Sequence, residues 1–312
     1  MPWKVLVSAT YLQLAIDRYR PWFKEHDIEV VLPLVNERLE EADLLHWVGD
    51  IDGAICGDDR FTATVLEAAP RLKVISKWGT GIDSIDQEAC LKLGIAVRNT
   101  PNAFSEPVAD TVLGYLLCFA RGLPALDRHM KAGAWQKMPG RSLRECTLGV
   151  IGVGNVGKAV VRRAVAFGMH VLGHDPVVLP GDFLATTRIT MVNKNELLRQ
   201  ADFVSLNCDL NPTSYHLMDT NAFALMKSDA VIVNIARGPI IEESALISAL
   251  ERGQIAGAAL DVFEQEPLPL DSPLRRMDNV LLAPHNANAS PEAWERVHQS
   301  TIQNLLDVLY AS

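Results

Sequence analysis

Arg237, Glu266 and His285 each stand just past an apolar run that reads as a β-strand. Asn234-Ile235-Ala236-Arg237-Gly238 follows residues 230–233, Asp261-Val262-Phe263-Glu264-Gln265-Glu266-Pro267 follows 256–260, and Ala283-Pro284-His285-Asn286 follows 280–282. Open α/β sheets bind ligands beyond the carboxyl ends of their strands, so the three motifs are expected to converge on one sheet edge. An imidazole titrates near neutral pH, and His285 can give a proton to a ketone oxygen or take it back from an alcohol. A carboxylate at Glu266 would orient the ring and favour its charged form. The planar guanidinium of Arg237 can hold an α-keto acid through two oxygens at once. Glu264 reads as a solvated acid.

A phosphate site precedes them. Leu148-Gly149-Val150-Ile151-Gly152-Val153-Gly154-Asn155-Val156-Gly157-Lys158 is an apolar run entering a GxGxxG loop, with an apolar helical pattern after it. Gly152 permits a sharp strand-to-helix turn, Gly154 removes a Cβ that would block a pyrophosphate, and Gly157 lets the helix lie close to the strand. The N–H groups of Asn155 and Val156 would meet the anion at the helix N-terminus. A lone GxGxxG also fits a glycine-rich turn with no ligand. Here residues 169–174 read as the next strand, ending at His174, and Asp175-Pro176 follow. A carboxylate at Asp175 accepts hydrogen bonds from ribose hydroxyls and repels a 2′-phosphate, and no arginine follows within several residues, which favours NAD over NADP. In the first third of the chain, Trp78-Gly79-Thr80-Gly81 lies beyond another strand candidate at 73–76, and its glycines let backbone N–H groups converge on an anion.

The elements that must position these residues alternate along the chain. Strands are expected at 4–8, 30–32, 54–56, 73–76 and 95–97, with helices around 12–23, 36–48, 62–69 and 87–93. A second series of strands at 147–151, 169–173, 203–206, 230–234, 256–261 and 280–283 also alternates with helices. Each series implies an α/β, doubly wound parallel sheet. Between them, residues 105–121 form one helix whose apolar stripe is too broad for a solitary surface helix; it is expected to be buried between the lobes or against a second subunit. The apolar spacing over 291–310 predicts a terminal helix that returns to the first lobe.

The 312 residues, 48% apolar and 21% charged, suffice for two domains. A net charge of −9 argues against a nucleic-acid or anionic membrane surface. The start of the chain lacks the long uncharged core of a signal peptide, and no run approaches a membrane span, so a cytoplasmic location is expected. The five cysteines show neither CxxC nor Cys/His metal spacing and read as reduced, mostly buried thiols; no metal is expected.

Taken in order, Lys77-Trp78-Gly79-Thr80-Gly81-Ile82-Asp83, the loop 152–157, the motifs 234–238 and 261–267, and Pro284-His285 resemble the D-isomer-specific 2-hydroxyacid dehydrogenase family over essentially the whole chain. The resemblance implies a Rossmann NAD-binding domain (99–285) inserted into a flavodoxin-like catalytic domain (1–98 plus 286–312), usually in a homodimer. It makes Arg237, Glu266 and His285 catalytic and gives the loop Trp78-Gly79-Thr80-Gly81 the substrate carboxylate. Lys77 then either faces a second anionic group of the substrate or is a solvated strand-end charge, and Trp78 narrows the pocket. Asp261 would accept a hydrogen bond from the nicotinamide carboxamide. Cys208, Asp209 and Thr213 belong to a loop that passes the cofactor, by backbone contacts rather than thiol chemistry at Cys208. Ile235 and Ala236, with His174 and Pro176, complete the cofactor's surroundings, and Trp135 resembles a position near the subunit boundary. Asn286-Ala287-Asn288-Ala289-Ser290 departs from the small or apolar residue and glycine common after the histidine. The implied reaction is NAD-dependent interconversion of a small 2-oxo acid and its D-2-hydroxy acid. The alternatives are a same-fold dehydrogenase acting on a phosphorylated hydroxy acid or phosphite, and an NADH-responsive corepressor-type protein, which the lack of long basic or disordered flanks disfavours.

Overall fold

The computed structural model describes residues 2–311. Two compact units emerge, Met1–Phe104 with Ser290–Ser312, and Ser105–Ala289, so the second is an insertion in the sequence of the first.

In the first unit β1 (Trp3–Val7), β2 (Ile28–Val31), β3 (Gly53–Cys56), β4 (Val74–Lys77) and β5 (Ala96–Arg98) form a parallel sheet in the order β2-β1-β3-β4-β5. That order is the flavodoxin-like one. Helices cover both faces, which is why β3 and β4 are buried at every position and read as unbroken apolar runs apart from Ser76 and Lys77. The terminal helix Pro291–Leu309 begins where the Ser290 hydroxyl accepts the Ala293 N–H, and it buries Val297, Thr301, Ile302, Leu305 and Leu309 against β3 and β4. The helix expected over 36–48 is shorter, Glu41–Trp47, because Glu40 and Asp43 form a capping box that starts it late.

In the second unit β6 (Thr147–Ile151), β7 (His170–His174), β8 (Thr190–Met191), β9 (Phe203–Leu206), β10 (Val231–Asn234), β11 (Gly257–Leu260) and β12 (Val280–Leu282) form a parallel sheet in the order β12-β11-β10-β9-β6-β7-β8. The order reverses between β6 and β9, the switch point at which such sheets bind nucleotides. The two-residue β8 was not anticipated from sequence; a ladder that short leaves no periodicity to read. The helix Ser105–Arg121 finds its partner inside this unit, where it packs against the helix Asn155–Ala166. Arg163 ties the two together through Glu106 at 2.7 Å and Asp110 at 2.6 Å. Val108, Val112, Leu113 and Leu116 of the apolar stripe on Ser105–Arg121 are buried, while Leu117 and Phe119 stay partly exposed. Among the described residues no single helix is long and apolar enough to cross a membrane.

Candidate active site

Register places the motifs of the second unit in one row. Ile151 pairs with His174 and with Leu206, Leu206 with Asn234, Asn234 with Leu260, and Leu260 with Leu282. The residues one step further, Gly152, Asp175, Asn207, Ile235, Asp261 and Ala283, are where each strand hands over to a polar loop.

The glycine loop fits a dinucleotide. Gly152 has φ +85° and donates its N–H to the His174 carbonyl at 2.9 Å; a Cβ there would lie 2.5 Å from the Cys208 nitrogen. A Cβ on Gly157 would lie 2.0 Å from the Gly152 oxygen, so only glycine lets the helix sit on its own strand. Beside Gly154, by contrast, a Cβ would meet nothing within 4 Å: the space a phosphate needs is open. No side chain caps the helix Asn155–Ala166, and the N–H groups of its first turn point out of it. Asp175 is held at the loop, one oxygen accepting the Val153 N–H at 2.6 Å and the other the Val177 N–H at 2.8 Å. His174 reaches the Val192 carbonyl through Nδ1 at 3.1 Å, and Pro176 is exposed. The backbone of 207–208 closes against Gly152, whereas Asp209 and Thr213 are exposed and the Thr213 hydroxyl donates to the Asn211 side chain at 2.6 Å. Burial pushes the Cys208 thiol up to about 11, so it is no thiolate nucleophile at neutral pH.

His285 Nδ1 lies 3.1 Å from Glu266 Oε2, and both side chains are largely covered. The other Glu266 oxygen accepts the Phe263 N–H at 2.9 Å, which fixes the carboxylate in place. His285 itself has φ +49°, a region costing a non-glycine residue ~1–2 kcal/mol. Asp261 sustains it: its carbonyl accepts the His285 N–H, and its two carboxylate oxygens accept the N–H groups of Asn286 and Ala287, all at 2.8 Å. Burial raises the Asp261 carboxyl above the usual range, and those two N–H groups oppose it. The carboxylate thus serves the histidine loop with both oxygens. Gly238 explains how Arg237 joins the group, because a Cβ there would lie 1.9 Å from the Phe263 carbonyl group: the two loops press together. Asn234 accepts the Ala236 N–H and donates to the Arg237 carbonyl, while Arg237 Nη1 reaches the Ala236 carbonyl at 2.8 Å. Ile235 is buried under this turn. Glu264 is exposed, as expected of a solvated acid, and meets His216 Nε2 at 2.6 Å on the surface.

In the first unit, the loop after β4 turns its carbonyls inward. The Gly79 oxygen accepts the Thr100 N–H at 2.9 Å and the Thr80 oxygen accepts from the Asn99 amide at 2.6 Å, while the Thr80 hydroxyl donates to the Thr100 carbonyl. Among the described residues, no acceptor takes the N–H groups of Gly79, Thr80 or Gly81, which is the polarity an anion requires. Lys77 is not a solvated charge: it is 4% exposed and donates to Asp58 Oδ1 at 2.8 Å. Trp78 is buried as well, its Nε1 donating to His298 Nδ1 at 2.9 Å. Asp58 and His298 carried no signal in sequence. Asp58 follows β3, whose Cys56 is in register with Lys77, and His298 arrives only with the terminal helix.

A family model described as "D-isomer specific 2-hydroxyacid dehydrogenase, NAD binding domain" matches residues 113–287, more than half of the chain. The chain is 40% identical over 287 residues to a D-3-phosphoglycerate dehydrogenase of Methanocaldococcus jannaschii, covering 91% of this chain and 53% of that protein. It is also 40% identical over 254 residues to a glyoxylate reductase of Korarchaeum cryptofilum, covering 80% and 76%. It therefore spans about half the length of the first relative and about three quarters of the second. The D-lactate dehydrogenase of Aquifex aeolicus, solved with NAD and lactic acid, superposes with a TM-score of 0.89 at 26% identity, covering 99% of this chain and 96% of that one. The unit Ser105–Ala289 is accordingly an NAD-binding Rossmann domain. Likeness in sequence and in fold thus extends well beyond the glycine loop, and the chain belongs to the D-isomer specific 2-hydroxyacid dehydrogenase family.

Proposed function

We propose that this protein is an NAD-dependent D-2-hydroxyacid dehydrogenase that interconverts a small 2-oxo acid and its D-2-hydroxy acid. The observation that carries the reading is the His285–Glu266 pair at 3.1 Å, at the strand-end row that also bears the NAD loop. Gly152, Gly154, Asn155, Val156, Gly157 and Asp175 hold the cofactor, with the backbone around Cys208, Ile235 and Ala236 beside it. The bound nicotinamide supplies or accepts the hydride. His285 donates a proton to the substrate's carbonyl oxygen through Nε2 in reduction and takes it back in oxidation, since Nδ1 is engaged by Glu266. The Glu266 carboxylate stabilises the imidazolium of the proton-loaded state. Arg237 polarises the carbonyl and pairs with the carboxylate; in the first unit, the loop of Gly79, Thr80 and Gly81 presents N–H groups of the kind a substrate carboxylate needs.

The Lys77–Asp58 pair bears on the choice of acid. A lysine already neutralised by its own carboxylate is poorly placed to reward a phosphate, which favours unphosphorylated acids such as glyoxylate, hydroxypyruvate and pyruvate. Purified protein with NADH should consume cofactor at 340 nm with one or more of these and more slowly with 3-phosphohydroxypyruvate. No consumption with any 2-oxo acid would sink the dehydrogenase reading, and a preference for the phosphorylated acid would sink the role given to the pair.

The active form is a homodimer. The helix Leu123–Lys131 buries none of its residues, and Leu123, Met130 and Trp135 are 49%, 50% and 88% exposed, apolar surface that a second copy would cover. Sedimentation should give twice the chain mass, and Trp135→Asp should shift it to the monomer; a monomeric wild type would remove the proposal. The free thiols fit a reducing compartment such as the cytoplasm.

A further inference from the structure

The terminal helix is pinned to the strand that precedes the anion loop by two polar contacts one helical turn apart. Ser76 Oγ donates to the Thr301 carbonyl at 2.8 Å, and Trp78 Nε1 donates to His298 Nδ1 at 2.9 Å. Ser76 and Trp78 therefore face the helix, while Lys77 between them faces Asp58. The second contact is chemically unusual. An indole N–H can only donate, so Nδ1 of His298 has to be the acceptor, and the ring has to be neutral with its proton on Nε2. His298 is 4% exposed, and burial lowers its basicity, with Glu295 opposing and Arg18 assisting. Around this contact the Trp78 ring is boxed in. Tyr11 stacks on it at 5.0 Å between centroids, Phe104 lies at 5.5 Å, and Trp294 backs Tyr11 at 4.7 Å.

We infer that His298 is a positioning residue for the substrate carboxylate: by accepting the Trp78 indole N–H it fixes the backbone that leads into Gly79, Thr80 and Gly81. Trp78 is joined to Gly79 by one peptide bond, and its own N–H is held by the Cys56 carbonyl at 2.8 Å, so the indole contact fixes the side of the residue that the backbone bond does not. Without it, the ring is left with stacking alone, which tolerates sliding, and a buried N–H is left unpaired. The anion-receiving N–H groups would then sample other directions. The inference rests on the assignment of that loop to the carboxylate in the proposed reaction, and it goes beyond it by giving the loop a determinant in the terminal helix.

The test compares His298→Leu, His298→Gln, Trp78→Phe and the Leu/Phe double variant, each checked for native thermal unfolding. Two readouts are taken: KM and kcat for the best 2-oxo acid, and calorimetric affinity for oxamate, an unreactive analogue that reports the carboxylate site whether or not turnover occurs. His298→Leu and Trp78→Phe should each weaken oxamate binding and raise KM by about tenfold, with kcat within about twofold and NADH affinity unchanged. The double variant should be no worse than either single one. His298→Gln, whose amide oxygen can still accept, should recover most of the loss. Wild-type binding of oxamate with unaltered affinity in His298→Leu, or additive losses in the double variant, would overturn the inference and leave the proposed reaction standing. Wild-type protein that neither binds oxamate nor reduces any 2-oxo acid would overturn both.

Discussion

Replacing His285 by alanine should lower kcat for 2-oxo acid reduction by about 10³-fold, within the ~10²–10⁴-fold span of a positioned proton donor, while NADH affinity stays near its native value. The reasons lie in separate parts of the second unit. Proton donation depends on a ring held from Nδ1 by Glu266 at 3.1 Å, whereas the cofactor's phosphates depend on the glycine loop after β6, which β9, β10 and β11 separate from β12 in the sheet. The loop bearing His285 should survive the change, because the Asp261 bonds to residues 285–287 use backbone N–H groups that alanine keeps. Glu266→Gln should act in the same direction with a smaller effect, since an amide can still orient the ring but cannot stabilise its charge. Stopped-flow single turnovers with saturating NADH check this. A His285→Ala protein that turns over within tenfold of wild type would mean that another group carries the proton.

The second large effect belongs to Arg237. Arg237→Lys should lower kcat/KM by ~10²–10³-fold despite conserving the charge, because an ammonium cannot bind two oxygens of an α-keto acid in the fork geometry of a guanidinium. Both kcat and KM should suffer, the carboxylate contact being present in the ground state and the carbonyl contact strengthening as negative charge builds on its oxygen. Arg237→Ala should lose more and recover part of its rate when guanidinium chloride is added at low millimolar concentration, well below denaturing levels. The geometry around the arginine predicts a control as well. Gly238 touches the Phe263 carbonyl group, so the arginine's loop and the Glu266 loop are set by one another, and steady-state assays must be accompanied by a spectroscopic check that both remain folded. A lysine variant with wild-type kcat/KM would remove the clamp from the account.

Much of this arrangement was legible in the chain itself, for an identifiable physical reason. Strands buried on both faces of a parallel sheet read as short apolar runs, so the first polar residue after each run marks the ligand-binding edge. That made Gly152, Asp175, Asp261 and the residues around Arg237 and His285 readable, and the register row is the structural form of the same pattern. What stayed hidden were pairings between residues far apart in sequence. Lys77 read either as facing a second substrate anion or as a solvated strand-end charge because Asp58 is nineteen residues away, and only the pairing of β3 with β4 brings them together. His298 was invisible for the same reason at a separation of 220 residues. The apolar stripe of the helix Ser105–Arg121 was readable, but not its packing on the helix Asn155–Ala166, since periodicity says that a face is covered and not by what. The helix Leu123–Lys131, which buries nothing, gave no core pattern at all.

In the proposed reaction, hydride and proton reach a 2-oxo acid with the second unit holding both the cofactor and the proton donor. Its most direct measurement is the fate of label. With NADH carrying deuterium at both C4 positions and glyoxylate, pyruvate or hydroxypyruvate in ordinary water, the hydroxy acid formed should carry a single deuterium at C2, with the D configuration where C2 is a stereocentre, and His285→Ala should form the labelled product about 10³-fold more slowly while still binding the cofactor. Unlabelled product, an L-configured product, or labelled product formed by the alanine variant at the wild-type rate would contradict the account.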